Sequence, residues 1–129
     1  MFRLGDKMDK IRAINVNPIV LAFVGDAVYS LFVREKLVFE CDSKTGDLNK
    51  MATAEVMAKA QAEFVAKLME HFTDEELNVY KRARNSKKPT KAKSATVTEY
   101  NMATGFEAVL GYLYLIGDID RINYLLNVR

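Results

Sequence analysis

A chain of 129 residues, half of them hydrophobic and 28% charged, has the size of one domain built around a single core. Its longest apolar run, Ile19 to Val24, is far short of the roughly 20 residues of a membrane span, and the charged start Met1 to Lys7 lacks the apolar core and cleavage site of a secretion signal; a cytoplasmic protein with no membrane partner is expected. The net charge is only +2, and the one cysteine, Cys41, has no thiol partner, which excludes a disulfide scaffold and a paired-thiolate metal site.

Pro18 stands where a helix often opens, and Val20, Val24, Ala27, Val28, Leu31 and Phe32 follow at helical spacing, so a first long helix is predicted over Ile19 to Lys36. From Asn15 to Val33 its only charged residue is Asp26. A polar connection, Glu40 to Gly46, leads into a segment rich in Ala, Met, Lys and Glu; helix is predicted over Asp47 to Phe72, with a break near Ala52-Thr53-Ala54. His71, the lone histidine, falls late in that helix, where an imidazole can meet terminal carbonyls. It and Cys41 read as structural.

Thr73-Asp74-Glu75-Glu76 has the form of a capping box and opens a short helix to about Arg84. Lys81, Arg82, Arg84, Lys87, Lys88, Lys91 and Lys93 then follow with no acid between Leu77 and Thr98. A mobile basic loop is predicted over about 85–97, with Pro89 inside it, before Thr98 caps the next helix. That helix ends near Gly117, and from Asn101 to Gly117 it carries one charge, Glu107. Asp118 can cap a final helix through Asn127. With no strand alternation, repeat or Gly-rich phosphate loop, the fold class is all-α.

Asp26 and Glu107 are thus lone acids in two apolar helices. An ionised carboxylate out of water costs several kcal/mol, on the order of the penalty for a buried ion, unless a cation or strong donors compensate it. Two of them suggest a shared cation. Gly25 precedes Asp26, and Gly111 lies one turn after Glu107, so each helix is thin beside its acid and another backbone could approach closely. Taken singly, Asp26 also reads as a buried aspartate bonded to helix ends or to a lysine, and Glu107 as half of an internal ion pair.

The stretch Phe23-Val24-Gly25-Asp26-Ala27-Val28 resembles the signature helix of the ribonuclease III domain, and Phe106-Glu107-Ala108-Val109-Leu110-Gly111 resembles its second catalytic helix. Ala58-Lys59-Ala60-Gln61-Ala62 and Arg82-Ala83-Arg84-Asn85-Ser86-Lys87 match as well, and the resemblance is closest to the Mini form, a catalytic domain alone. It implies a homodimeric helical endonuclease domain over residues 1–129, with Phe23 at the dimer interface. It also implies Asp26 and Glu107 as catalytic metal ligands, magnesium as cofactor with manganese as substitute, and hydrolysis of double-stranded RNA to 5′-phosphate ends. The family role would be maturation of large-subunit (23S) ribosomal RNA, so the expected substrate is a precursor ribosomal RNA; a helper protein is not specified.

Departures from the classical pattern stand at Ala22 and Thr104, where acids are expected, and near Ala58. Thr104 can bind a metal-bound water but brings no charge. Arg82, Arg84, Asn85, Lys87, Lys88, Lys91 and Lys93 are the candidate RNA contacts, since duplex RNA is read through its backbone and shape. Two rival readings stay open: an inactive ribonuclease III-like module that holds RNA without cutting it, and a purely structural helical dimer.

Overall fold

The computed structural model describes residues 6–40, 44–88 and 95–128, which form helices and connections only. The elements are α1 (Lys10–Ile14), α2 (Pro18–Glu40), α3 (Thr45–Val56), α4 (Ala58–Leu68) with a 3₁₀ turn at Met69–His71, α5 (Asp74–Asn85), α6 (Val97–Leu115) and α7 (Ile119–Leu126). Cys41, Pro89, Lys91 and Lys93 lie outside the described residues.

Helix α6 is the central post. It packs against α2 along the most extensive interface of the fold, and against α5, α4 and α7 on its other sides. A helix apolar all round has to be enclosed by others, and every residue from Ala103 to Leu113 is buried except Glu107. Phe106 anchors the core, meeting Tyr29 of α2 edge-on at 5.1 Å between ring centroids and Phe64 of α4 at 5.7 Å.

The close approach of α2 and α6 depends on Gly25 and Gly111. A Cβ on Gly25 would overlap the Glu107 carbonyl, and one on Gly111 would overlap the Leu21 carbonyl. The two helices therefore touch backbone to backbone beside both acids, as their thinness there suggests.

Several boundaries differ from the sequence reading. Helix α2 runs to Glu40 because its buried stripe continues through Leu37 and Lys36 pairs with Glu55 of α3 at 2.9 Å. The break in the next segment falls at Met57 rather than at 52–54, and α3 begins at Thr45. Thr96, not Thr98, caps α6: its hydroxyl accepts from the Glu99 amide at 3.0 Å while Glu99 reaches back to the Thr96 amide. Asn85 closes α5 and Val97 opens α6, so both ends of the expected 85–97 loop are helical. His71 lies in the 3₁₀ turn, where its Nδ1 meets the Tyr124 hydroxyl at 3.2 Å instead of a terminal carbonyl.

The capping box of α5 forms as read from the sequence, with Thr73 and Glu76 bonding reciprocally. Glu76 does more than that. It is buried and takes Arg121 of α7 in a two-pronged pair, both N–O distances 2.8 Å, while a further guanidinium bond reaches the His71 carbonyl at 2.5 Å. Gly117, with φ of 79°, and Asp118 make the turn from α6 into α7. Among the described residues no helix is long and apolar enough to cross a membrane.

Candidate active site

The α2–α6 contact brings the Asp26 and Glu107 carboxyl groups side by side, within hydrogen-bonding reach of each other. They line a 480 Å³ cleft with Ala22, Gln61, Lys88 and Thr104. Burial, followed by the hydrogen bond and the charge of Asp26, pushes the Glu107 carboxyl up to about 9, and the Gln61 carboxamide opposes the shift. The two acids are not equally enclosed. Asp26 is exposed, whereas Glu107 is half-buried, so the desolvation argument applies to Glu107 and not to Asp26. Asp26 lies on the face of α2 that also carries Val20, Phe23, Ala27 and Leu31, which is exposed among the described residues.

Thr104 is buried, and its hydroxyl hydrogen is committed to the Tyr100 carbonyl at 2.9 Å. Its oxygen can still accept a hydrogen bond from a water in the cleft. Among the described residues no group of three or more His, Cys, Asp or Glu side chains comes together as a metal site. The donor set is thus two carboxyls with neutral oxygens around them, a hard-oxygen set that fits magnesium or manganese with much of the hydration shell retained.

The basic residues separate into different environments. Lys88 is half-buried at the cleft, with its Nζ donating to the Arg84 carbonyl at 2.6 Å, and burial lowers its pKa. Lys87 is exposed. Arg84 lies over the Tyr80 ring at 5.6 Å and donates from Nε to the exposed Asn85 side chain at 3.1 Å. Arg82 is turned inward, where it donates to the Ile14 carbonyl at 2.6 Å, so it ties α5 to the end of α1.

Phe23 is 79% exposed and lies outside the core that the described residues form. With Val20, Ala27 and Leu31 it forms a stripe at helical spacing along α2. It stands between the acid-lined cleft and a second, largely apolar cleft of 690 Å³ bordered by Leu31, Phe32, Tyr114, Ile119, Ile122 and Leu126.

Gln61 received no role from the sequence, although it lies in a matching segment. In α4 the buried positions are Gln61, Ala62, Val65 and Leu68; a polar residue on that apolar stripe is the signal that could have singled it out.

Residues 19–118 match the family model of the ribonuclease III domain. The chain is similar to the Mini-ribonuclease 3 of Brevibacillus brevis, with 50% identity over 106 residues covering 82% of this chain and 79% of that protein. It is similar to the Mini-ribonuclease 3 of Clostridium tetani at 39% identity, covering 97% of this chain and 83% of that protein. A crystal structure of a Fusobacterium nucleatum protein superposes with a TM-score of 0.82 at 33% identity, covering 93% of this chain and 94% of that one.

Proposed function

Since the chain belongs to the ribonuclease III family, among proteins named Mini-ribonuclease 3, we propose that it is an endoribonuclease that hydrolyses double-stranded RNA as a homodimer, using a divalent cation. The observation that carries this reading is the pairing of Asp26 and Glu107 at the α2–α6 contact. Two adjacent carboxyls cannot both be ionised at little cost without a counter-charge; a proton on Glu107 relieves the conflict in the metal-free fold, and a cation would let both ionise.

Asp26 and Glu107 would hold magnesium, or manganese in its place, which when bound would supply water activation and charge stabilisation at the phosphate. The remaining residues bind and orient the strand. The Thr104 oxygen accepts from water at the buried side of the cleft. Lys88, at its rim, is placed for a phosphate oxygen, and Lys87 and Arg84 continue the positive surface beyond it. Lys91 and Lys93 belong to the same basic segment. Hydrolysis would leave a 5′-phosphate and a 3′-hydroxyl.

Phe23 and the apolar stripe of α2 support self-association. A second copy laid on that face would cover Phe23 and set one acid pair toward each strand of an antiparallel duplex, whose pseudo-two-fold symmetry matches that of an isologous dimer. The natural substrate in this reading is a stem of precursor large-subunit ribosomal RNA in the cytoplasm.

The test is incubation of such a stem with the wild-type chain and with Asp26→Asn, in magnesium and in chelator. Magnesium-dependent cuts with 5′-phosphate ends, abolished by the substitution, are expected. Duplex binding with no cutting under any condition would replace this reading with that of an RNA-holding module.

A further inference from the structure

Asp26 borders two clefts at once. With Phe23 it lines the cleft that holds Glu107, and with Phe23 it also lines the apolar cleft walled by Leu31, Ile122 and Leu126. Asp26 is exposed, and so are Phe23, Ala27 and Leu31 on the same face of α2. Residues three apart on a helix are surface neighbours, so Asp26 stands on the flank of Phe23, where the apolar stripe meets the acid-lined cleft. That face carries a projecting apolar side chain and an apolar cleft next to it, which is what a self-complementary contact between two copies needs.

In a single chain the acid pair is only half enclosed. Glu107 is half-buried at the α2–α6 contact, while Asp26 remains in water. A copy seated over Phe23, Ala27 and Leu31 adds low-dielectric surface on the open side of Asp26. Two carboxylates side by side out of water lose hydration and repel each other more strongly. With a cation between them the balance reverses, because the same loss of water strengthens its attraction to both. The acids thus oppose pairing of empty chains and not of loaded ones.

We infer that Asp26 couples cation binding to the pairing of two copies: the second copy takes Asp26 out of water, and a cation shared with Glu107 supplies the counter-charge for that burial. This rests on the homodimeric, metal-dependent reading above and makes the acid pair incomplete in a lone chain. Such coupling is reciprocal. If each site binds the cation about 10-fold more tightly in the dimer, a step within the usual range for linked sites, saturation tightens the dimer by about 100-fold because two sites gain.

The experiment is sedimentation of the full chain over a concentration series, without RNA, in chelator and in saturating Mn²⁺, with the EPR signal of the free ion reporting occupancy. Wild type and Asp26→Asn are compared. The wild-type dimer dissociation constant should fall by about 100-fold in Mn²⁺. The Asp26→Asn dimer should be at least as tight as wild type in chelator, since the charge that pairing desolvates is gone, and should respond little to Mn²⁺. Leu31→Ala, which trims the apolar face and borders only the apolar cleft, brings a dimer too tight to dissociate into range and should show the wild-type shift.

A wild-type dimer equally strong in chelator and with Mn²⁺ bound overturns the inference. So does equal tightening of Asp26→Asn, which would put the effect at another site. The readings beneath it fail by different signs: wild type monomeric at every concentration in both conditions removes the homodimer, and Mn²⁺ bound alike by wild type and Asp26→Asn removes the metal centre.

Discussion

A Cβ on Gly25 would overlap the carbonyl oxygen of Glu107. The residue before one acid is therefore in van der Waals contact with the backbone of the other, and no side chain intervenes to absorb a change. Gly25→Ala should force α2 and α6 apart and cost at least the roughly 1–3 kcal/mol typical of overpacking, with cleavage falling further than stability because the acids separate. Gly46→Ala is the control, since nothing lies within 4 Å of its Cβ position. Urea unfolding of both variants checks the contrast; equal stabilities would show that the helices can part at no cost.

Asp26→Asn and Glu107→Gln should each reduce duplex cleavage by orders of magnitude with helix content unchanged. Asp26 is exposed, so its replacement leaves the core untouched. Glu107→Gln keeps the shape and removes the neighbouring-charge conflict. Single-turnover cleavage and circular dichroism on the same preparations decide the matter.

The Glu107 carboxyl also predicts a pH dependence. Its folded value is raised to about 9 from 4.5, so between these limits the folded chain binds more protons than the unfolded one, and stability falls as pH rises through that window. In chelator, wild type should lose stability from pH 5 to 9 more steeply than Glu107→Gln. Adding Mn²⁺ should flatten the wild-type curve, because a cation favours the ionised carboxyl. Parallel curves for the two proteins in chelator would contradict the shift.

Phe23→Asp should produce monomers of undiminished stability that no longer make paired cuts in a duplex. The side chain is 79% exposed in the isolated fold, so the charge does no harm until a second copy covers it. Sedimentation velocity reads the association state directly.

Neutralising Lys87, Lys88, Lys91 and Lys93 should lower the slope of log affinity against log salt by roughly 0.7 to 0.9 for each RNA phosphate that the protein no longer neutralises. Lys88→Ala alone should in addition slow cleavage, since Lys88 lines the acid cleft. Arg82→Ala should behave differently. Its bond to the Ile14 carbonyl makes it a strut, and its removal should cost about 1.5–3 kcal/mol of stability, as for hydrogen bonds of charged groups, with little change in the salt slope.

The helical architecture, the acid pair and the glycine contact were legible because each leaves a local mark: apolar spacing, a lone charge, a small residue beside it. The capping box at Thr96 was equally legible, since Glu99 follows at the required distance while Thr98 has Asn101 there. What could not be read was how side chains divide between core and surface. Nothing local says that Arg82 turns inward to Ile14 while Lys87 stays in water, or that Asp26 is exposed in a run of apolar residues. Those outcomes depend on which helix lies opposite. Gln61 lies between the two cases, its position on an apolar stripe visible and its bond to the Val56 carbonyl not.

The guanidinium of Arg121 joins helix α7 to Glu76 and to the His71 carbonyl in one clasp. Helix α7 is eight residues long, too short to persist alone in water, so its hold on the body comes from this clasp, from the Tyr124 contact with His71 and from Ile122, Leu125 and Leu126. Ile119, Ile122 and Leu126 are also a wall of the apolar cleft beside Phe23. Slow amide exchange in α7 should accordingly rise and fall with that in α5, as one cooperative unit. A lesion at Glu76, which touches neither acid, would loosen the socket available to a neighbouring copy from the far side of the molecule.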